Sequence, residues 1–314
     1  MAIMRIVVMG AGGTGGYFGA KLARAGEDVT FVARGAHLAA LRTAGMRIKS
    51  AVEGDWSVRA PAVDRLDGVP PADLVLFCVK SFDTEEAAAL VQPVVGPHTG
   101  VLSIQNGVDN EDKLARVLGA DHVLGGAARV FATIESPGVI THTFGGHLAF
   151  GEMSGGETPR ARAVLGACHR AAIAADLVRD VTRALWEKYV FLTAHAGITA
   201  LTRCPAGVLR ARPEVRELYR RTVAELVAIG RAAGVALDDS VLEQGMRFLD
   251  AAAPNAFSSL HHDLVHGKRL ELEALHGHAI RLAERHHVSA PTVFAVYAGL
   301  APYRDGVPTV PAAR

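Results

Sequence analysis

Charge imbalance is nearly absent from this 314-residue chain, in which 33 Lys and Arg stand against 32 Asp and Glu for a net charge of +1. No global field would hold a nucleic-acid backbone or an anionic membrane surface, so neither is an expected partner. Cysteine is scarce: Cys78, Cys168 and Cys204 are odd in number and scattered, which suits neither a disulfide framework nor a zinc site. They read as buried small hydrophobes in a reducing compartment. Long apolar runs are missing too, since the stretch at residues 74–79 falls far short of the roughly 18–20 residues of a membrane helix. The N-terminus shows no basic region followed by a cleavable apolar one, and the expected location is the cytoplasm. Lysine is rare as well, with six against 27 arginines.

Hydrophobic residues make up 50% of the chain and charged residues 21%, enough apolar material for sizeable cores and too little polarity for a disordered chain. The length fits two domains. A β-branched run at residues 5–9 ends in a glycine cluster and gives way to helical spacing through Tyr17, Leu22 and Ala25. Strand-like runs follow at 28–33, 74–79 and 101–104, with a helix over 84–91 between them, and this alternation implies a parallel sheet. Residues 123–150 read as an antiparallel hairpin appended to the sheet edge, with turn residues Ser136-Pro137-Gly138 and Gly145-Gly146. A helix over 158–174 and a short strand near 177–181 close the first half, and the boundary falls near residue 178. Beyond it the pattern is helical, over 183–202, 214–233 and 271–287, with breaks at Gly207, Pro213, Gly234, Pro254 and Pro291. A Pro-containing tail from Pro302 is expected to fray.

Gly10, Gly12 and Gly15 spell GxGxxG, with Ala11, Gly13 and Thr14 between them, after a strand and before a helix. Gly10 would make the tight turn, Gly12 would let the backbone approach a pyrophosphate, and Gly15 would let the helix lie close to the strand. The free N–H groups and positive dipole end of the helix favour phosphate. The fold class is therefore α/β: an N-terminal Rossmann-type dinucleotide-binding domain, residues 1–178, followed by an all-α domain, residues 179–314. The second strand ends in Arg34 where NAD-selective sites carry an acid, which favours a 2′-phosphate and hence NADPH/NADP over NAD(H). Lys80 follows the strand at 74–79 and either meets a cofactor phosphate or is solvated at the strand end. Asn106, in Gln105-Asn106-Gly107, offers a donor and an acceptor, or forms a simple Asx turn.

Lys188 sits in the apolar, aromatic stretch Leu185-Trp186-Glu187-Lys188-Tyr189-Val190-Phe191. Burial penalises an ammonium group and makes Lys188 a candidate proton donor to a developing alkoxide; the bland reading is a lysine snorkelling from an amphipathic helix. Five histidines, His261, His262, His266, His276 and His278, invite a metal reading that no zinc motif completes.

Together the glycine turn, Gln105-Asn106-Gly107, Leu185-Trp186-Glu187-Lys188, Thr199-Ala200-Leu201-Thr202, Ser258-Ser259-Leu260 and Glu271-Leu272-Glu273 resemble the ketopantoate reductase (2-dehydropantoate 2-reductase) family over nearly the whole chain. The resemblance implies reduction of a small-molecule 2-oxo acid, 2-dehydropantoate to pantoate in pantothenate biosynthesis, with Lys188 protonating the ketone oxygen and Glu271 as the family's glutamate. It implies that Asn106 positions substrate and nicotinamide, that Ser259 donates a hydrogen bond to substrate, and that Arg34 and Lys80 meet the 2′-phosphate. The family's substrate-binding asparagines, one and two helical turns beyond the lysine, are replaced by Leu192 and Ala196. His195, near the same helix face, is a candidate to replace one of them or else a core histidine. Two rivals stay open: a reductase of a different, more apolar oxo acid or ketone, and a non-catalytic NADP(H) sensor. The apolar helices of the second half leave room for a homodimer.

Overall fold

The computed structural model of the chain describes residues 3–308. Contacts group the described residues up to Gln105 with Asp109–Ala184 as one unit, and Asn106–Val108 with the residues from Leu185 on as another.

In the first unit, β1 (Arg5–Met9), α1 (Gly13–Arg24), β2 (Asp28–Val32), α2 (Gly35–Ala44), β3 (Met46–Ser50), β4 (Trp56–Val58), β5 (Ala62–Val63) and β6 (Leu74–Phe77) lead on to α3 (Thr84–Val91) and β7 (Gly100–Ser103). Then come α4 (Asn110–Leu118), β8 (Val123–Ser136), β9 (Val139–Glu152), α5 (Pro159–Arg170) and β10 (Ala174–Leu177). All ten strands join one sheet in the order β4-β3-β9-β8-β7-β6-β1-β2-β5, with β10 also on β9. Every residue of β6 and β7 is buried, which is why these strands read as unbroken apolar runs. Register is tight: Met9 pairs with Val32 on one side and Phe77 on the other, and Phe77 pairs with Ser103. The chain therefore leaves four neighbouring parallel strands at one level.

The sheet packs on two faces of α1, which has glycine on both. A Cβ on Gly15 would lie 2.2 Å from the Gly10 carbonyl oxygen, and one on Gly19 would lie 2.7 Å from the side chains of Val8 and Phe31. On the other face, a Cβ on Gly13 would lie 1.9 Å from the Ala132 oxygen of β8, and one on Gly16 would lie 2.1 Å from Ile140 of β9. The strand pairs β1–β2 and β8–β9 thus clasp one helix.

The β8–β9 hairpin turns at Ser136-Pro137-Gly138 as expected but is not at the edge, because β9 also pairs with β3. Gly145-Gly146 is no turn. Both residues have positive φ inside β9, at an irregular stretch of its register with β8. Before this pair β9 takes β3 as its outer partner, at residues 139–142; after it β9 takes β10, at 147–150. Glycine serves a bulge as well as a turn, so sequence alone does not separate the two. The last strand of the unit is β10 at 174–177, not 177–181, where the next helix already begins. The β6 strand stops at Phe77 and not Val79.

Helices α6 (Val181–Thr202), α7 (Ala206–Ala211), α8 (Pro213–Ala232), α9 (Ser240–Ala251), α10 (Ser259–Val265), α11 (His278–Arg285) and α12 (Pro291–Leu300) follow, the second unit taking α6 from Leu185 on. Its core gathers Trp186, Tyr189, Tyr219, Leu226, Leu249, Leu275 and Val296. Pro213 and Pro291 open helices, where the missing N–H costs nothing. Gly207, an expected break, lies inside α7 against the Pro254 carbonyl. The expected helix over 271–287 contains a π-helical stretch, Glu273–Gly277, before α11. Pro302 lies in a 3₁₀ turn, and the Arg304 carbonyl accepts from Leu270 N–H at 2.8 Å, so the tail is tied down there rather than frayed. Its last six residues, 309–314, fall outside the described part.

Glu27 is buried and accepts from Arg170 Nε at 2.9 Å and from the Met4 N–H at 2.7 Å. Arg170→Ala leaves this carboxylate buried without its cation. The variant should lose about 2 kcal/mol of unfolding free energy, measured by urea titration at pH 7.

Candidate active site

Four strand ends of the first unit converge. At the end of β1, Gly10 has φ +97°, and a Cβ there would lie 2.9 Å from Val79 N, so only glycine makes this turn. Ala11 N–H donates to the Val32 carbonyl at 3.1 Å. Gly12 caps α1 with no side-chain hydrogen bond, and a Cβ on it would meet nothing within 4 Å. A helix N-terminus without an acid in its first turn, fronted by open space at Gly12, fits the pyrophosphate of a dinucleotide. Gly13 and Thr14 form the first turn of α1. Gly15 holds the helix against its own turn and Cys78, and Gly13 does the same against β8, a task not foreseen for it.

Strands β2 and β6 flank β1, so Arg34 and Lys80 flank the glycine turn. The Arg34 side chain is 76% exposed and reaches Asp83 at 3.5 Å. Asp83 belongs to the 3₁₀ turn that follows Lys80, so this ion pair joins the two flanks. Just past the next strand, β7, Gln105 Nε2 donates to the Val79 carbonyl at 3.0 Å and to Thr84 Oγ1 at 2.8 Å. Gln105 therefore fixes the segment before Lys80 to the segment before Asn106, a role that sequence reasoning missed. Tyr17 and Lys21, one turn apart on α1, both bind Glu53, and burial beside that carboxylate pushes the Tyr17 hydroxyl well up; they are a structural pair.

The second unit holds Asn106, Lys188, His195, Ser259 and Glu271. Lys188 is buried, 7% exposed, so the snorkelling reading fails. At about 100° per residue, Lys188, His195 and Thr199 share one face of α6, with Leu192 beside them. Thr199 Oγ1 and Ser258 Oγ are 2.7 Å apart, and Ser258 Oγ also accepts from the His261 N–H at 3.1 Å. Ser258 is the cap of α10 and docks it on α6; Ser259, next in the chain, is half-buried and has no hydrogen bond from its hydroxyl among the described residues. Tyr189 donates to the Leu275 carbonyl, and Leu275 N–H donates to the Glu271 carbonyl at 3.2 Å. The residue beside Lys188 thus anchors the helical turn that Glu271 opens. Glu271 is buried, whereas Glu273 sits in a surface network with Tyr297 and Arg281.

His195 packs edge-on to Phe248 with ring centroids 5.4 Å apart, and its buried Nδ1 has no partner among the described residues. His276 lies on the opposite face of α6, where its ring fills the space a side chain at Gly197 would need. It is a core histidine. The His262 and His266 rings lie tilted with centroids 4.2 Å apart, and Phe257 and His261 stack at 4.0 Å. Among the described residues no three His, Cys, Asp or Glu form a metal-holding group, and no helix is long and apolar enough to cross a membrane. Of the free thiols, Cys168 is buried, but Cys78 and Cys204 are only partly so.

Family models described as "Ketopantoate reductase PanE/ApbA" and its C-terminal region match residues 6–155 and 180–304. The chain belongs to the ketopantoate reductase family. It is 34% identical to the 2-dehydropantoate 2-reductase of Halobacterium salinarum, covering 92% of this chain and 95% of that one. The crystal structure of a PanE/ApbA family ketopantoate reductase from Ralstonia eutropha matches with a TM-score of 0.88 at 32% identity, over 96% and 98% of the two chains. D-mandelate dehydrogenase, solved with NADH and anilino(oxo)acetate, matches with a TM-score of 0.88 at 18% identity, over 96% and 98%; that likeness is one of fold. Members of the family are NAD(P)H-dependent oxidoreductases acting on a CH–OH group.

Burial pushes His195 and His276 down to about 4 each. Between that value and an unfolded imidazole near 6.5, the folded state binds fewer protons, so their stabilisation is full above about pH 6.5 and is lost toward pH 4. Unfolding free energy should therefore fall between pH 6.5 and 5, and His276→Gln should flatten that slope by up to about one proton, read from urea titrations across this range.

Proposed function

We propose that this chain reduces a 2-oxo acid with NADPH, 2-dehydropantoate to pantoate, in the pantothenate pathway of the cytoplasm, as a homodimer. The observation that carries the reading is Lys188, a rare lysine held buried on the α6 face that also bears His195 and Thr199. Residues 1–178 would bind the cofactor and 179–314 the substrate. Gly10, Ala11, Gly12, Gly13, Thr14 and Gly15 would hold the pyrophosphate, Arg34 and Lys80 the 2′-phosphate, and Asn106 the nicotinamide side of the substrate. NADPH, when bound, supplies a hydride to the carbonyl carbon. That carbon becomes tetrahedral, its oxygen gains the electron pair of the broken π bond, and Lys188 Nζ delivers a proton to it. Ser259 donates a hydrogen bond to the substrate, and Glu271, buried in the same unit, balances the ammonium form of the lysine.

A second reading, a bulkier and more apolar oxo acid, is favoured by Leu192, Ala196 and the Phe191–Phe248 ring pair, 4.6 Å apart, beside His195. Monitoring NADPH oxidation with 2-dehydropantoate beside aromatic and branched oxo acids separates the two. The first holds if kcat/KM is highest for 2-dehydropantoate and fails if that substrate is the poorest.

Lys188→Ala should lower kcat by about 10²–10⁴-fold with NADPH affinity retained; a near-normal kcat removes the lysine from the mechanism. Arg34→Ala should raise KM for NADPH about tenfold and leave KM for NADH unchanged, since a 2′-phosphate contact exists only with the former.

A further inference from the structure

His37, the third residue of α2, joins two distant backbone segments. Its Nε2 lies 2.8 Å from the Ala11 carbonyl oxygen, and its Nδ1 accepts the Gly138 N–H at 3.1 Å. An imidazole that accepts at Nδ1 must carry its proton on Nε2, so Nε2–H donates to Ala11. Burial lowers the ring's proton affinity and favours the neutral form that this arrangement needs.

The peptide that His37 grips is the one whose nitrogen belongs to Gly12. In a trans peptide the C=O and the following N–H point to opposite sides of the chain. Drawing the Ala11 carbonyl toward His37 therefore turns the Gly12 N–H the other way. Ala11 N–H is already spent on the Val32 carbonyl at 3.1 Å, so both polar groups of Ala11 are fixed. The far end of the clasp is firm as well, because Gly138 also accepts from Arg47 N–H at 2.9 Å, in the turn between β8 and β9.

We infer that His37 is a positioning residue for the dinucleotide: it orients the Ala11–Gly12 peptide so that the Gly12 N–H meets the pyrophosphate. This rests on the glycine turn being the dinucleotide site. The role belongs to the phosphate bridge alone, and a ligand without that bridge is indifferent to it.

The test compares wild type, His37→Phe and His37→Gln for equilibrium binding of NADPH and of adenosine 2′-monophosphate, which keeps the 2′-phosphate and lacks the pyrophosphate. Phenylalanine keeps the ring and offers no donor; glutamine carries an amide N–H able to reach Ala11. His37→Phe should weaken NADPH about tenfold, with the loss in KM rather than kcat, and leave adenosine 2′-monophosphate within about twofold of wild type. His37→Gln should recover most of the NADPH affinity. Equal NADPH affinity in wild type and His37→Phe overturns the inference, as does equal weakening of both ligands, the mark of a general structural role. Should His37→Phe fail to fold, His37→Asn, whose amide is one methylene too short, replaces it and must lose the affinity that His37→Gln keeps. A wild type that binds no dinucleotide at all overturns the site reading itself, a result distinct from any difference among variants.

Discussion

The first unit depends on one constraint: α1 has glycine at the points where the sheet comes closest to it, on both sides. A helix in such a fold ordinarily covers one face of a sheet, and its other face meets solvent. Here the β8–β9 hairpin passes so close that the Ala132 carbonyl takes the place of a side chain at Gly13, while Gly15 lets the opposite face sink onto the β1 turn. Because α1 cannot shift toward either set of strands, its N-terminus is held where the carboxyl ends of β2, β1, β6 and β7 align. Anion binding at a helix N-terminus needs N–H groups that stay put, and the fold secures them from both directions.

In the second unit, α6 has to serve two surfaces. One face is packed by His276 and, through Tyr189, by the π-helical turn; the other bears Lys188, His195 and Thr199. A π-helical turn shifts the side chains beyond it around the helix axis, which lets the segment after Glu271 both hold that carboxylate buried and seal the far side of α6. Burying a lysine and a glutamate in one helical unit is costly unless the two charged forms are served by polar neighbours, and structures tend to retain such groups at sites of chemistry.

What could be read in the sequence was what backbone geometry demands. Gly10 needs positive φ, Gly15 needs a missing side chain, and strands buried on both faces must be apolar throughout; each leaves a mark at a single position or in a short run. Lys188 was conspicuous because so few lysines surround it. The short strands β4 and β5, of three and two residues, carry too few positions for any period to show. Helix α2 buries only Leu38 and Leu41 and left no apolar stripe to find. Gln105 and His37 escaped because their work is done by side chains on distant backbone carbonyls, and no local pattern encodes a partner 26 residues away. Ser258 and Ser259 were adjacent and alike on paper, and only the cap geometry assigns the first to the helix.

Reaction and selectivity make different demands on the α6 face. Hydride addition to a carbonyl needs a proton donor, and nothing in that chemistry depends on what else the substrate carries. With Lys188 as the proposed donor, Leu192 and Ala196 would change which oxo acid fits without disturbing it, and a fold shared with proteins named for different substrates is the expected outcome. A histidine pushed down to about 4 is neutral at working pH, so His195 can offer one hydrogen bond to a hydroxyl or carbonyl but no charge. On the proposed reading it would stand in for an amide side chain and not for a cation. The negative charge of an oxo acid would then be met by other groups, and His195 would choose among substrates by the polar atom they present beside Phe248.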